Sequence, residues 1–336
     1  MTKTNRFADK IARMRAGAYK PGDYMIADAK DADVTGGINS TGPRRDARGR
    51  ITGARTRPEF LEQIRKVIDQ DVVDIMLTSA GNLDALNEAG AFERSAVQPA
   101  FRGNETTCVW GNIRGGRYGD APSRPYRGAD LAFAPGDLCL YSLTFNNDAE
   151  ADARMLEAYA AFRGEARDAG VRHFLEVFNP NLPDAVDPDT LGAYVTDCII
   201  RLQASMTRAE RPEFLKVAYN GPDAMQQLAA HDPSMVVGVL GGAGATHRDT
   251  FELIAQSERH GARLALFGRK INQAEDQCRL ISWMRRVADL DVGPEEAVRG
   301  YHADLERDGL RPDRTLEEDL RITSEVLRFD AAPVPV

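Results

Sequence analysis

The segment Phe-Leu-Lys-Val-Ala-Tyr at residues 214–219 is apolar and strand-like, and it holds a lysine, Lys216, at its third position. One interpretation is an edge strand whose lysine reaches water, because long charged side chains commonly extend to the surface. The other is amine chemistry, because a lysine among apolar groups loses proton affinity and its free amine can add to a carbonyl. The neighbouring segments bear on this choice.

Strand-like and helical segments alternate on both sides of 214–219. The predicted strands cover residues 24–29, 72–78, 106–110, 138–144, 173–178, 214–219, 235–240 and 262–267. Amphipathic helical patterns cover residues 58–69, 83–88, 149–169, 190–206, 223–230 and 246–259. Such alternation is typical of parallel sheets with right-handed crossovers, and eight units favour a closed (β/α)8 TIM barrel of the α/β class. An open, doubly wound sheet is the alternative.

The third strand is the least defined, because residues 101–135 are rich in Gly, Arg and Pro, and it could begin several residues before 106. We expect the chain, 1–336, to form a single barrel domain with an N-terminal helix at about 4–16.

Two segments are expected to extend the barrel. Residues 31–56 form a long loop after the first strand, which we expect to lie over the barrel mouth as a lid. Helices at about 273–288 and 316–327 lie in a C-terminal extension, 273–330, that packs on the outside of the barrel or on a partner subunit. We therefore expect a homo-oligomer. The loop is rich in arginine, and Arg44, Arg45, Arg48 and Arg50 are among the cations that could bind substrate.

Composition excludes several classes of function. A net charge of -8 argues against a nucleic-acid surface, which is normally basic. The longest apolar stretches are strand-sized and the N-terminus has no apolar signal core, so we expect a cytoplasmic protein without membrane contact. The four cysteines are widely spaced and the five histidines form no short ligand pair. The sequence therefore predicts neither disulfides nor a protein-bound metal, and it indicates no cofactor.

Charged residues near the ends of predicted strands are candidates for chemistry, because barrel active sites lie at the carboxyl ends of the strands. Asp28 and Lys30 share one parity on the first strand and are expected to point inward. Asp31 and Asp33 are interpreted as turn or helix-cap residues. Glu176, in the apolar segment Phe-Leu-Glu-Val-Phe, needs a counter-charge, and Lys216 on the next strand is the natural partner. A packing ion pair would explain this pair equally well.

Glycine turns follow the seventh and eighth strands. Gly241 and Gly242 begin the sequence Gly-Gly-Ala-Gly-Ala-Thr-His, and Gly268 precedes Arg269. Glycines let backbone amides approach an anion, and barrels often bind phosphate with the loops after these two strands. The order of the turns predicts a phosphate site, with Arg269 supplying a fixed charge.

Taken in order, these residues resemble the Schiff-base class I aldolases of the tagatose-bisphosphate and archaeal-type fructose-bisphosphate aldolase superfamily. The resemblance covers about residues 20–275, and it implies a barrel in which Lys216 forms the Schiff base. Asp28 and Glu176 would take the acid/base positions, and Lys30 the position of a basic residue after the Asp. Ser142 stands where tagatose-bisphosphate aldolases carry a further Lys, so a bisphosphorylated hexose is not expected.

The resemblance implies a lyase that cleaves or forms a carbon–carbon bond in a phosphorylated ketose or related keto compound. Lys216 would form the iminium, Asp28 would take the proton from the departing hydroxyl, and Glu176 would move protons around the amine. The alternatives are an isomerase, epimerase or thiolase-like acyl transferase without a Schiff base, and a non-catalytic sugar-phosphate-binding protein.

Overall fold

The computed structural model describes residues 6–46, 49–242 and 246–328, and its centre is a barrel of eight parallel strands. The barrel strands are Met25–Lys30 (β1), Ile75–Thr78 (β2), Gln98–Arg102 (β3), Leu138–Thr144 (β4), Arg172–Phe178 (β5), Leu215–Val217 (β6), Val237–Leu240 (β7) and Leu264–Phe267 (β8). They close in chain order, because β1 pairs with both β2 and β8. The predicted TIM barrel is confirmed, and the open sheet is excluded.

Helices cover the outside of the barrel, and one helix precedes it. The helices of eight or more residues are Arg6–Arg15 (α1), Arg57–Gln70 (α2), Ala80–Glu88 (α3), Ala149–Asp168 (α4), Leu191–Ala204 (α5), Pro222–His231 (α6), His247–Arg259 (α7), Gln277–Ala288 (α8) and Pro294–Arg307 (α9). Among the described residues, no helix has the length and apolar character needed to cross a membrane.

The third repeat differs from the prediction. The barrel strand is Gln98–Arg102, whereas the predicted strand at 106–110 falls mainly in the 3-10 helix Thr107–Asn112. Residues 103–137 contain short 3-10 helices and the two-stranded pairing of Glu105–Thr106 with Pro125–Tyr126 in place of a crossover helix. Frequent Gly and Pro interrupt any helical period there, so the apolar residues after 105 gave a false strand signal.

Helix α1 closes the amino-terminal end of the barrel. Its apolar face, formed by Phe7, Ile11 and Met14, packs with the interior side chains, and the Phe7 ring lies 6.2 Å from that of Phe214. On its polar side, Lys10 Nζ lies 2.9 Å from Asp74 Oδ1. The helix was expected at about 4–16, of which residues 4 and 5 lie outside the described ranges.

Alternate residues of each strand face the barrel interior, and the packing clusters show which parity faces inward. On β1, Met25, Ala27 and Ala29 belong to the interior cluster, whereas Ile26 belongs to the layer between sheet and helices. Every residue of β1 is buried, so both of its faces are covered. The inward residues of the other strands are Ile75, Leu77, Ala100, Leu138, Leu140, Phe174, Leu264 and Leu266, joined by Phe214 just before β6 and Val236 just before β7.

The described parts of the loop, 31–46 and 49–56, contain regular secondary structure. A one-turn helix, Asp33–Gly36, leads into a hairpin of Pro43–Arg45 with Ile51–Ala54. Three of its arginines pair with carboxylates: Arg44 with Glu59, Arg45 with Asp313, and Arg50 with Asp46. Arg48 lies outside the described residues. The proposed use of these three guanidinium groups at the barrel mouth is therefore not supported, and the lid remains a prediction.

The C-terminal extension is less helical than predicted near its end. The expected helix at 316–327 is a one-turn helix, Leu316–Asp319, and a 3-10 turn, Glu325–Leu327. Between them, the amides of Thr323 and Ser324 donate to the Asp249 carboxylate rather than to helical carbonyls. Residues 329 and 330 of the expected extension lie outside the described ranges.

Candidate active site

Lys216, Glu176 and Ser142 form a row across three neighbouring strands. Lys216 on β6 is in register with Glu176 on β5, which is in register with Ser142 on β4, and all three have inward parity. Lys216 Nζ lies 2.5 Å from Glu176 Oε1, and Ser142 Oγ donates to Glu176 Oε2 at 2.6 Å. Lys216 is only 6% exposed, so the edge-strand interpretation is wrong. The prediction that Glu176 pairs with Lys216 is confirmed.

Arg102 and Asp31 extend this row around the inside of the barrel. Arg102, at the end of β3, donates through Nε to Asp31 Oδ2 at 2.5 Å and through a terminal nitrogen to Ser142 Oγ at 3.1 Å. Its other terminal nitrogen lies 3.5 Å from Glu176 Oε2. Asn104 fixes the Ser142 backbone by accepting from its amide at 2.6 Å and donating to its carbonyl at 2.8 Å. All of these side chains are buried.

The four ionisable groups alternate in charge, from Asp31 to Arg102 to Glu176 to Lys216. Burial raises the pKa of Asp31, but the charges of Arg102 and Lys216 outweigh burial and hold its pKa below the usual range. Burial lowers the pKa of Arg102, but the charges of Asp31 and Glu176 outweigh burial and raise its pKa above the usual value. Asp31 is therefore a carboxylate at neutral pH that is stabilised by the charge of Lys216 but bonded to Arg102.

Asp28 and Lys30 do not belong to this group. Both lie on the parity of Ile26, which faces the helices, and Lys30 Nζ donates at 2.9 Å to Gln277 of α8, outside the barrel. Lys30 Nζ is 3.2 Å from Asp28 Oδ2, and both side chains are fully buried. The prediction that Asp28 and Lys30 point into the mouth is wrong, because the inward set on β1 is Met25, Ala27 and Ala29, followed by Asp31.

Burial dominates the electrostatics of this outer pair. It raises the pKa of Asp28 to about 6, although Lys30 partly offsets the effect, and it lowers the pKa of Lys30. Neither carboxylate oxygen of Asp28 accepts a hydrogen bond from the described residues, so the contact is an ion pair without good hydrogen-bond alignment. The pair is a structural feature of the barrel wall.

Close packing accounts for two of the predicted phosphate-binding glycines. A Cβ on Gly241 would lie 2.3 Å from the Phe267 ring, and one on Gly268 would lie 2.9 Å from the carbonyl of Ala29. The Gly241 amide already donates to the Leu266 carbonyl at 2.6 Å. Close packing therefore explains why glycine occupies both positions, without any bound ligand.

The two turns also border different cavities. Gly241 and Gly242 line a cleft of about 570 Å³ with Asn179 and Asn220, and Gly242 has a positive φ of 57°. Arg269 is exposed and lines a cavity of about 190 Å³. A phosphate site shared by both turns stays a prediction, and residues 243–245 between them lie outside the described ranges.

Comparison with known proteins gives a fold relationship. The chain matches no protein-family model and no curated protein sequence. It is similar to solved structures, among them a fructose-bisphosphate aldolase from Slackia heliotrinireducens, with 14% identity and a TM-score of 0.62 over 89% of this chain and 90% of that one. The chain has the fold of the fructose-bisphosphate aldolases. The resemblance drawn from the sequence is confirmed at the level of fold.

Two further structures extend this relationship. An archaeal fructose-1,6-bisphosphate aldolase, whose catalytic Lys is covalently bound to the carbinolamine intermediate, is 13% identical with a TM-score of 0.58 over 84% of this chain and 99% of its own. A Corynebacterium glutamicum protein is 20% identical with a TM-score of 0.55 over 87% of this chain and 99% of that one. At these identities the likeness shows the fold alone.

Sequence reasoning missed two members of the site. The sequence predicts a turn role for Asp31, although it shares its odd parity with the inward residues Ala27 and Ala29. Arg102 lies before the strand that the sequence predicts at 106–110, so the sequence does not mark it as a strand-end residue. Once Gln98–Arg102 is recognised as a strand, an arginine at its carboxyl end becomes a site candidate.

Proposed function

We propose that the protein is a class I aldolase, an aldehyde-lyase that forms a Schiff base on Lys216. The observation that carries the proposal is the buried contact of 2.5 Å between Lys216 Nζ and Glu176 Oε1, on the inner face of the barrel. Transfer of one proton across this contact turns an ammonium and a carboxylate into a neutral amine and a carboxylic acid. The amine is then a nucleophile, and the acid is placed to protonate the oxygen it attacks.

The proposed reaction begins at the carbonyl carbon of a keto substrate. Lys216 Nζ forms a C–N bond to that carbon, and the carbonyl oxygen, protonated through Glu176, leaves as water to give the iminium. Asp31 then takes the proton of the hydroxyl on the departing carbon, and the C–C electrons move into the iminium to give an enamine and a free aldehyde. Protonation of the enamine carbon and addition of water release the second product and restore Lys216.

Arg102 and Ser142 have positioning roles in this proposal. Arg102 holds Asp31 and approaches Glu176, while Ser142 donates to Glu176 on the side opposite the lysine. The resemblance to tagatose-bisphosphate aldolases implies that Ser142 stands where those enzymes have a further Lys. Arg102 brings a cation to the same part of the barrel from the neighbouring strand, and it donates to Ser142 itself.

The substrate class is a further part of the proposal. A phosphorylated keto compound would place its anionic group near the exposed Arg269 or the cleft at Gly242, both at the carboxyl end of the barrel. The homo-oligomer and the cytoplasmic location expected from the sequence remain predictions.

Reductive trapping tests the Schiff base. The protein is incubated with dihydroxyacetone phosphate and sodium borohydride, and intact mass and peptide mapping locate the adduct. We expect one adduct per chain on the peptide that contains Lys216, and none in Lys216→Arg. Lys270→Arg is the matched control, because burial lowers the pKa of Lys270 to about 8 and makes it the competing amine.

Dihydroxyacetone without phosphate, used in parallel, tests the substrate class. Much weaker trapping than with the phosphate ester would support an anion site. An adduct on Lys270 instead of Lys216, or no adduct with either ketone or with a wider set of carbonyl compounds, would refute the proposed reaction.

A further inference from the structure

A second cluster of chemically capable side chains lies outside the barrel, among its C-terminal helices. His247 begins α7, His302 lies on α9, and Asp319 ends the one-turn helix Leu316–Asp319. His247 Nδ1 is 2.5 Å and His302 Nε2 is 2.9 Å from the same oxygen, Asp319 Oδ2. All three residues are at most 4% exposed, so three elements distant in sequence converge on one buried point.

The three ligand atoms have the types and spacing of a metal site. Two imidazole nitrogens and one carboxylate oxygen lie within 4.8 Å of one another. Around a zinc ion with ligand distances of roughly 2.0–2.2 Å, neighbouring ligand atoms lie about 3.3 Å apart, so small rotations of the side chains would admit the ion. Two histidines and one carboxylate form a recognised set for zinc and related divalent transition metals.

The surrounding groups hold these ligands in place. The amide of His247 donates to Asp319 Oδ1 at 2.7 Å, which leaves Oδ2 for the ion, and the His247 ring packs on Tyr301 at 4.6 Å. The other ring nitrogen of His247, Nε2, lies 3.9 Å from Glu275 Oε2. When Nδ1 binds a metal, the ring proton moves to Nε2 and faces this carboxylate, as in carboxylate–histidine–metal arrangements.

We propose that His247, His302 and Asp319 bind one Zn²⁺ ion that attaches the C-terminal segment 315–328 to α7. The same segment is bound to α7 beyond the site, since Thr246 Oγ1 donates to the Arg321 carbonyl at 2.8 Å and Gln256 to that of Leu327 at 2.8 Å. Residues 324–327 form one wall of the cleft that Gly241 and Gly242 line. The ion therefore fixes a wall of that cleft, independently of the chemistry at Lys216.

The competing explanation is a metal-free hydrogen-bonded network, in which both imidazoles donate to Asp319. The positive charge of Lys270 acts on the same carboxylate and would repel a metal cation, so it favours the metal-free network. The negative charge of Glu275 would attract a cation and so favours the metal site. The two explanations differ in stoichiometric metal binding and in the protection of the C-terminal segment.

Zinc binding by the full chain tests the proposal. The protein is stripped with a chelator, dialysed against buffered Zn²⁺, and analysed for bound metal. We expect one Zn²⁺ per chain with a dissociation constant at or below ~1 µM. Binding should be lost in His302→Gln and Asp319→Asn. The matched control is His173→Gln, another buried histidine, which bonds to the Tyr159 hydroxyl at 2.8 Å and should leave binding intact.

Two further measurements use the wild-type chain alone. Zn²⁺ should protect the peptide bond after Arg321 from trypsin in the wild-type chain. Co²⁺ in its place should give visible d–d absorption without the intense near-ultraviolet band of cysteine ligation, which separates this site from the four cysteines. Less than about one tenth of an equivalent of Zn²⁺, binding that survives both ligand substitutions, or a cysteine band would overturn the proposal.

Discussion

The substitution Lys30→Met removes the cation from a fully buried ion pair in the barrel wall. The pKa of Asp28 is about 6 in the folded chain against an ordinary value of 3.8. Each pKa unit corresponds to about 1.4 kcal/mol, so ionising Asp28 already costs the folded state about 3 kcal/mol. Between pH 4 and 6 the folded state binds more protons than the unfolded state, so stability from this group falls as pH rises.

Removing Lys30 should increase the free-energy cost of ionising Asp28 in the folded state. Lys30 is the group that holds the pKa of Asp28 down, so in Lys30→Met the pKa rises above 6 and the pH window extends upward. We expect a loss of about 3–5 kcal/mol in the free energy of unfolding at pH 8, where a buried carboxylate stands unpaired. At pH 5 the protonated Asp28 carries no charge, and the loss should fall to roughly 1–2 kcal/mol, the cost of a buried polar group without a hydrogen-bond partner.

Urea unfolding followed by circular dichroism at pH 5 and pH 8 measures both values. The double variant Asp28→Asn/Lys30→Met is the control, because it removes both charges, and it should return to within about 1 kcal/mol of wild type at pH 8. Catalytic activity of the folded double variant should be unchanged, since the pair faces α8. Equal losses at both pH values, no recovery in the double variant, or a folded but inactive double variant would refute the outward placement of Asp28.

Three substitutions inside the barrel are expected to affect activity. Glu176→Gln preserves the shape of the side chain but cannot accept the proton of Lys216. We expect kcat to fall roughly 10²–10⁴-fold and borohydride trapping of the substrate on Lys216 to become slower. A normal rate of trapping would contradict the role of Glu176. Asp31→Asn should block C–C cleavage while Lys216 is still trapped by a ketone, a split that stopped-flow and borohydride assays can detect. Ser142→Ala removes the 2.6 Å bond to Glu176 and should cost about 1–3 kcal/mol of stability by urea unfolding, with catalysis weakened but present.

The sequence determined the barrel and identified Lys216, Glu176 and Ser142 as candidate site residues. Alternating strand and helix patterns specify a parallel barrel, because each repeat buries its own apolar face locally. Lys216 and Glu176 could be identified because each is a lone charge in an apolar strand, and parallel strands one repeat apart in a barrel are neighbours. Those inferences need only local pattern and chain order.

The tertiary structure decided which face of β1 points inward. A parallel strand covered on both sides is apolar on both faces, so its sequence does not distinguish the parity of Asp28 from that of Asp31. The difference depends on the barrel's closure, which places Ala27 and Ala29 inside and brings Asp31 to Arg102.

The cluster of His247, His302 and Asp319 likewise depends on tertiary packing, since its members lie on three helices and no spacing in the chain marks them.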